Sequence, residues 1–389
     1  MAWKETCVMD ERLKFVADYL TEEWSMAELC RRYGIIRRIG YKWIDRYNYE
    51  GLEGLGDRSR APVHCPWRID DATVKRVVAF KRDHLTWGPK KIVAGLQRAH
   101  PHTRWPATST IGEILDRHGL VTRRRKRNKA TPSARPLSHC VHPNDVWCID
   151  FKGWFRTQDG LRCDPLTLCD GDTRFVLRCH ALSGKTDTPT VQASLEIAFR
   201  EYGSPVAIRS DNGSPFASTG LAGLSKLSVW WMALGIALER IRPGHPEENG
   251  RLERFHKTLK AETAMPPKNS IRQQQQAFNR FVEEYNFERP HEALGQRVPA
   301  DLYTPSPRPF PARLPATPDY DHAAEVRKVK ASGHIKWRGQ EIYVSQALAG
   351  HYIGLDPLDD GTYLVYCYHT AIGILDVKAM RTKPLKPAR

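Results

Sequence analysis

Apolar residues recur at helical spacing through the first part of this 389-residue chain. Ser25 can cap a helix that begins at Met26, and Gly34 ends it. The next helix has a basic outer face, and its inner face holds Ile39, Trp43 and Ile44. A helix, a glycine-containing turn and a second helix form the helix-turn-helix pattern, so we predict a first such domain over residues 1–56. Ile36 breaks a local rule, because Ser or Thr usually caps the second helix.

The outer face of the second helix in a helix-turn-helix contacts DNA phosphates and one or two base edges. We therefore predict that DNA is bound here by the exposed residues Arg37, Arg38, Tyr41, Lys42 and Arg46.

Three further helical segments follow, and we predict a second, homeodomain-like helix-turn-helix domain over residues 70–122. Its last helix should begin at a Thr or Ser cap and bury Ile111, Ile114 and Leu115. The residues expected at the groove end of this helix are Thr108, Ser109 and Thr110. A three-helix unit without a DNA role remains the alternative.

A basic, proline-bearing linker is predicted at 123–139. Such a run is usually solvated, but beside two candidate DNA-binding domains we expect it to lie along phosphates. The basic residues at its start are Arg123, Arg124, Arg125, Lys126 and Arg127.

From residue 144 the pattern changes to short β-rich runs that alternate with helical segments. This alternation predicts a mixed α/β sheet covered by helices, over residues 140–303. The proline-rich stretch at 304–322 should be a linker that does not pack as a core. Residues 323–383 alternate apolar and polar positions between Gly and Asp turns, which predicts a small β-barrel or sandwich. The whole chain is thus expected to be multidomain: all-α, then α/β, then small and all-β.

Charge and composition narrow the class of protein. The formal net charge is +16, and residues 1–140 hold 28 Lys and Arg against 16 Asp and Glu. Such a concentration of charge is typical of a nucleic-acid footprint, although an inert basic surface remains possible. No apolar run approaches the roughly 18 residues that span a bilayer. Nine scattered cysteines without a C-x-x-C pair favour reduced thiols in the cytoplasm. His139, Cys140 and His142 lie close together, but the second ligand cluster of a zinc site is missing.

Two aspartates are the candidate chemistry. Asp150 lies within an apolar strand, and Asp211 ends another, directly before Asn212 and Gly213. A carboxylate on a buried strand is costly unless its charge is compensated. Paired aspartates with a third acid make an oxygen-only site suited to Mg²⁺ or Mn²⁺, and two such ions can flank a phosphate. The alternative is that Asp150 and Asp211 only stabilise turns. We interpret Asp164, Asp170 and Asp172 as turn residues, with a metal role for Asp170 as the alternative.

The segments VWCIDF, IRSDNGSPF and HPEENGRLERFHKTLK occur in this order, and the chain continues to YNFERPHEALGQRVPADLY. Over about residues 140–305 this resembles the retroviral-integrase-like core of the DDE transposases of bacterial insertion sequences. The resemblance implies an RNase H-like fold in which Asp150, Asp211 and a helical glutamate are the catalytic and metal-binding residues. It also implies binding of terminal inverted repeats, metal-dependent 3′-end cleavage and strand transfer into target DNA. At least a dimer on DNA is expected, without a nucleotide cofactor, in the bacterial cytoplasm and on the nucleoid.

Two glutamates compete for the third position. The number of residues usual in relatives between the second aspartate and the glutamate leads to Glu247. Motif order instead selects Glu253, which lies three residues after a glycine and a few residues before LK. We choose Glu253, because residues 217–228 look like an insertion that accounts for the extra length. On a helix, Glu253 shares one face with the candidate DNA contacts Asn249, Lys257 and Lys260.

The opposite face of this helix should be buried, through Leu252, Phe255 and Leu259. The neighbouring acids have other expected places: Glu247 and Glu248 at the helix start, and Glu262 at a solvated far end. Two alternatives to a transposase remain: a DNA-binding regulator with an inactive core, and a nuclease of the same fold that only hydrolyses.

Overall fold

The computed structural model describes residues 7–58, 68–121, 137, 139–314, 320, 325–359 and 361–385, without the side chains of 246 and 247. The chain divides into two compact units, Met1–Ile69 and Asp70–Arg389. The predicted linker contacts Arg123 to Arg127 lie outside the described residues. None of the helices in the described ranges has the length and apolar character needed to span a bilayer.

The first unit is a three-helix domain. Its helices are α1 (Val8–Leu20), α2 (Met26–Arg32) and α3 (Arg37–Glu50), followed by a 3₁₀ turn at Gly51–Leu55. Ser25 caps α2 as predicted, and α3 starts after Ile36 with no side-chain cap.

One inward residue of α3 was predicted wrongly. Trp43 and Ile44 are buried with Phe15 and Leu29, but Ile39 is 38% exposed. Gly40 faces the core instead, where a Cβ would stand 2.6 Å from Cys30 Sγ. Glycine has no side chain and adds nothing to a hydrophobic pattern, so the helical periodicity assigned the inward position to the neighbouring Ile39.

The second unit begins with the helices α4 (Asp71–Asp83), α5 (Pro89–Ala99) and α6 (Thr108–Arg117). Ile111, Ile114 and Leu115 are buried as predicted. The predicted Thr or Ser cap of α6 is wrong, because Ala107 occupies the cap position and makes no side-chain hydrogen bond. Thr108, Ser109 and Thr110 therefore form the first turn of the helix.

A mixed sheet forms the centre of this unit. Its strands are β1 (Val146–Phe151), β2 (Phe155–Arg156), β3 (Arg162–Asp170), β4 (Val176–Leu182), β5 (Ala207–Ser210) and β6 (Ala237–Arg240). β3 pairs antiparallel with β1, β2 and β4, whereas β1–β5 and β5–β6 are parallel pairs.

Helices cover both faces of the sheet: α7 (Thr188–Tyr202), α8 (Lys226–Ala233), α9 (Gly250–Thr263) and α10 (Ile271–Glu283). Alternate residues of β1 enter two cores. Trp147 and Ile149 pack with α7 and α8. Val146 and Cys148 pack with α9 and α10. This arrangement confirms the predicted α/β domain covered by helices.

The proline-rich segment differs from the prediction where it is described. Arg308 donates hydrogen bonds to the carbonyls of Pro205, Leu234 and Gly235. The Phe310 ring packs against Phe199 of α7. Residues 304–310 are thus attached to the α/β core despite their prolines, because the Phe310 ring packs on that core and the Arg308 side chain is hydrogen-bonded to its backbone carbonyls.

The C-terminal strands are β7 (Glu325–Lys328), β8 (His334–Trp337), β9 (Gln340–Tyr343), β10 (Tyr352–Asp359), β11 (Thr362–Cys367), β12 (Thr370–Asp376) and β13 (Arg381–Lys383). In the described part of the chain they form an open sheet, β13-β12-β11-β10-β7, and a separate β8-β9 hairpin. A small β domain is therefore present, but the predicted closed barrel is not confirmed. Its core includes Leu224, Val229 and Met232 from the α/β domain.

Candidate active site

Neighbouring parallel strands bring the two candidate aspartates together. The register of β1 and β5 pairs Val146 with Ala207 and Cys148 with Arg209. Continued by two residues, the same register sets Asp150 beside Asp211. The carboxyl end of the parallel pair therefore carries both acids, as the sequence predicted.

Asp150 is surrounded by more negative than positive charge. Its Oδ1 accepts a hydrogen bond from the Phe151 N–H at 2.8 Å. Burial and the negative charges of Asp211 and Glu253 together raise the pKa of Asp150 to about 7, against the opposite effects of the Phe151 hydrogen bond and of Lys152. The charges of the other two acids named from the sequence thus both act on Asp150, which is typical of a site that holds a cation.

A tight turn orients Asp211. The Gly213 N–H donates to Asp211 Oδ1 at 3.1 Å, and the Asn212 amide donates to the Ile241 carbonyl at 2.8 Å. A Cβ on Gly213 would stand 3.1 Å from Asp211 Oδ2, closer than ordinary contact allows. Asn212 and Gly213 therefore have the turn-shaping positions expected of them.

Helix α9 carries Glu253 on an exposed face together with Lys257 and Lys260. Leu252, Phe255 and Leu259 are buried, as the helical pattern predicted. Asn249 differs, because it is only 6% exposed and precedes the helix. The structure therefore does not place Asn249 on the lysine-bearing face.

The other acids near α9 have structural partners. Glu248 pairs with Arg242, with Nε and Oε1 2.6 Å apart. Glu262 was predicted to be solvated, and this is wrong: its Oε1 accepts from Arg289 Nη1 at 2.7 Å and from Thr86 Oγ1 at 2.5 Å. The side chain of Glu247 lies outside the described residues. The turn interpretation of Asp170 fits its hydrogen bonds from the backbone N–H groups of Asn144 and Thr173.

His256 is a site residue that sequence reasoning missed. The Thr167 hydroxyl donates to the Asp150 carbonyl at 3.0 Å, so it accepts from His256 Nε2, which lies 2.7 Å away. The other ring nitrogen, Nδ1, is 3.9 Å from Asp150 Oδ2. Burial, assisted by the charge of Lys152, lowers the pKa of His256 to about 4, so the ring is neutral. Its only sequence signal was its place three residues after Glu253, on the side of the helix next to that of the buried apolar residues.

A basic and aromatic rim adjoins the acids. Burial and the nearby charge of Lys260 lower the pKa of Lys152. Trp154 is 56% exposed, and the guanidinium of Arg162 lies 5.1 Å from the centre of its ring. Cations and an exposed ring suit phosphates and bases of a nucleic-acid strand.

The donor set fits a hard divalent cation, since carboxylate oxygens are the ligands that Mg²⁺ and Mn²⁺ prefer. Within the described ranges, no three His, Cys, Asp or Glu side chains are close enough together in their present positions to hold an ion. Glu253 is exposed, and its charge acts on Asp150.

The candidate DNA contacts of the helical domains are mostly accessible. Arg37, Arg38, Tyr41 and Lys42 are exposed on α3. Arg46 is half-buried and donates to the Gly56 carbonyl at 3.2 Å, which gives it a structural role as well. On α6, Ser109 is exposed, whereas Thr108 and Thr110 are half-buried.

Comparison with known families agrees with this layout. Residues 11–62 match a helix-turn-helix domain and residues 39–115 a homeodomain-like domain. Two integrase core domain families match residues 141–246 and 234–299. Residues 324–383 match the C-terminal domain of the IS481 family of transposases.

Individual relatives belong to bacterial insertion elements. An uncharacterized 31.7 kDa protein of insertion element IS407 from Burkholderia multivorans is 27% identical over 63% of this chain and 86% of its own length. The transposase InsD of element IS2 from Escherichia coli is 27% identical over 56% of this chain and 73% of its own. Among solved structures, the magnesium-bound catalytic core of HTLV-2 integrase shares 16% identity over 43% of this chain and 99% of that one, with a TM-score of 0.33.

An integrase core together with helix-turn-helix domains defines a polynucleotidyl transferase that acts on DNA. The C-terminal match and the insertion-element relatives narrow this class. The chain is a DDE-type insertion-sequence transposase, as its motifs predicted.

Proposed function

We propose that this transposase binds the terminal inverted repeats of its element, cuts at the 3′ ends and joins them to target DNA. The observation that supports the proposal is that the charges of Asp211 and Glu253 both act on Asp150, where the parallel strands β1 and β5 bring the two aspartates to the same edge of the sheet. We assign these three residues as the catalytic and metal-binding carboxylates.

The acids would hold Mg²⁺ or Mn²⁺, two ions per site, which supply charge neutralisation at the scissile phosphate. Lys152, Lys257 and Lys260 bind the strand through its phosphates. His256 is a positioning residue, because it fills the space between Thr167 and Asp150 and fixes the backbone of β1.

DNA recognition is assigned to the helical domains at 1–56 and 70–122 and to the basic linker at 123–139. The remaining divisions that we propose are the core at 140–303, to which residues 304–310 are attached, a linker in the rest of 304–322 and the β domain at 323–383. Because two ends must be joined, the working form is at least a dimer on DNA, located with the bacterial nucleoid.

A strand-transfer assay tests the proposal, with the full chain, Mg²⁺ and DNA that carries the repeats flanking its gene. Asp150→Asn, Asp211→Asn and Glu253→Gln should abolish cleavage and joining while end binding persists. Glu247→Gln is the matched control for Glu253→Gln and should stay active.

Each result that differs from these expectations would indicate a different error in the proposal. Activity in Glu253→Gln together with its loss in Glu247→Gln would overturn the assignment of Glu253. Cleavage without joining would indicate a hydrolytic nuclease, and end binding without cleavage a regulator.

A further inference from the structure

A cavity of about 600 Å³ opens along α9, on the flank that carries Arg251, Arg254 and Thr258. Its other walls come from β1 and β3, from α5 with the turn before it, and from the segment that follows α10. This volume lies within the range of small-molecule sites, which is about 300–1,000 Å³. The catalytic carboxylates do not line it.

The floor of the cavity is apolar. Leu252, Phe255 and Tyr285 line it, and each is buried within the core formed by α9 and α10. Cys148 and Cys169 close the bottom from the sheet. A ligand that enters would therefore lose water on one side and keep its charged part near the rim.

The acids of the cavity already have partners. Asp170 accepts from backbone N–H groups, and Glu262 accepts from Arg289 and Thr86. Glu292 pairs with Lys90, with Nζ and Oε1 2.5 Å apart. These carboxylates are therefore already engaged, although the charges of Glu262 and Glu292 still act on Lys91.

The cations, in contrast, exceed the acids. Among the residues that the structure describes, Lys91, Arg174 and Arg254 form no ion pair. Burial and the charge of Arg289 lower the pKa of Lys91 to about 8. Burial also lowers the pKa of Arg174, and the charges of Arg251 and Arg254 add to this effect. Bringing these groups together without anions is unfavourable, so the cavity wall is complementary to an anion.

A histidine gives an independent indication of a ligand. His291 lines the cavity and is only 6% exposed. Its Nε2 is buried and has no hydrogen-bond partner within the described part of the chain. Buried polar atoms in folded proteins are nearly always paired, so this nitrogen points to a group that binds there. Burial and the charges of Lys91, Arg289 and Arg174 lower the pKa of His291 to about 3, so the ring is neutral and can pair with a hydroxyl of the ligand.

We propose that this cavity is a binding site for a phosphate-bearing ligand no larger than a nucleotide, held by Lys91, Arg174 and Arg254. Guanidinium groups bind phosphate oxygens in a bidentate manner, and a lysine adds a point charge. The apolar floor accepts the uncharged part of the ligand. The phosphate can come from a free nucleotide or from a nucleotide at a DNA end, and the site goes beyond the proposed function because it uses none of the catalytic acids.

Calorimetric titration of the full chain with inorganic pyrophosphate, in EDTA, tests the site. Lys91→Gln and Arg254→Gln should each weaken binding about tenfold, as expected for loss of one charge-assisted contact. Arg272→Gln is the matched control, because Arg272 is exposed on α10 and outside the cavity. It should bind like the wild type, and so should Asp150→Asn.

A second measurement needs no substitution. Lys91, with its lowered pKa, should react readily with an amine-acylating reagent at pH 8, and pyrophosphate should protect it, as read by mass spectrometry. Competition then separates the two sources: displacement by ADP indicates a free nucleotide, and displacement by a short duplex with an unpaired 3′ nucleotide indicates a DNA end.

Four results would overturn the proposal: no binding of pyrophosphate by the wild type, equal weakening in Arg272→Gln, absence of Lys91 protection, or displacement by neither competitor. Loss of binding in Asp150→Asn would also overturn the proposal, because the binding of pyrophosphate would then depend on the catalytic site and not on the cavity. The strand-transfer assay is independent of all these readings, so failure of the site and failure of the proposed function are distinguishable.

Discussion

Replacing Asp150 with asparagine should stabilise the metal-free protein while it abolishes catalysis. The substitution removes a charge that is desolvated and repelled by Asp211 and Glu253. Asparagine has nearly the same shape, and its Oδ1 can keep the hydrogen bond from the Phe151 N–H. The active site thus holds a carboxylate that opposes folding until a cation compensates it.

The magnitude follows from the pKa of Asp150, which rises from 3.8 to about 7 on folding. A tenfold change in a proton equilibrium corresponds to about 1.4 kcal/mol. Above pH 7 the substitution can therefore raise the free energy of unfolding by at most about 4 kcal/mol. Relaxation of the protein around the charge reduces this difference in stability, so we expect the variant to be more stable by about 2–4 kcal/mol. The sign is fixed: the unfolded carboxyl ionises first, so wild-type stability relative to the variant falls between pH 4 and 7 and is constant above.

Urea unfolding in EDTA, followed by the fluorescence of the buried core tryptophans such as Trp147, measures this difference at pH 5 and pH 8. Asp164→Asn is the matched control, since Asp164 is buried but paired with Arg162 Nη2 at 2.7 Å, and its loss should destabilise. Saturating Mg²⁺ should raise the stability of the wild type more than that of Asp150→Asn. A variant no more stable than the wild type at pH 8, or a gap independent of pH, would refute the reasoning.

Gly40→Ala should lower the unfolding midpoint of the first unit, since overpacking against Cys30 costs about 1–3 kcal/mol, and an unchanged midpoint would contradict the packing. Gly213→Ala should slow cleavage about tenfold or more with end binding intact, because the new Cβ displaces the Asp211 carboxylate; equal cleavage rates would argue against that role of the turn. The calorimetric affinity for Mg²⁺ should rise about tenfold per pH unit up to pH 7 and then level off, since Asp150 must lose its proton, and a flat profile would be incompatible with its pKa.

The strands, the helices and the two aspartates were predictable because each depends on nearby sequence. Asp150 and Asp211 lie on short apolar runs with β spacing, and Glu253 lies on a helix whose buried side is marked by Leu252 and Phe255. Periodicity and motif order carry this information without any knowledge of distant contacts.

Most of the features that the sequence did not predict depend on partners far along the chain. Glu262 looked solvated because its partners, Arg289 and Thr86, come from other elements. His256 looked like one more polar helix residue until β3 supplied Thr167. Ala107 showed that a helix can start without the side chain that usually caps it.

Helix α8 has a consequence for how the protein can be divided. Leu227, Trp230 and Trp231 pack into the α/β core, whereas Val229 and Met232 pack with the C-terminal strands. The helix is therefore buried nearly all round, with Lys226 exposed at its start, and the side that carries Val229 and Met232 is covered by the β domain. A catalytic domain produced without that β domain would expose these apolar side chains to water and associate through them. The β domain therefore keeps the catalytic domain soluble.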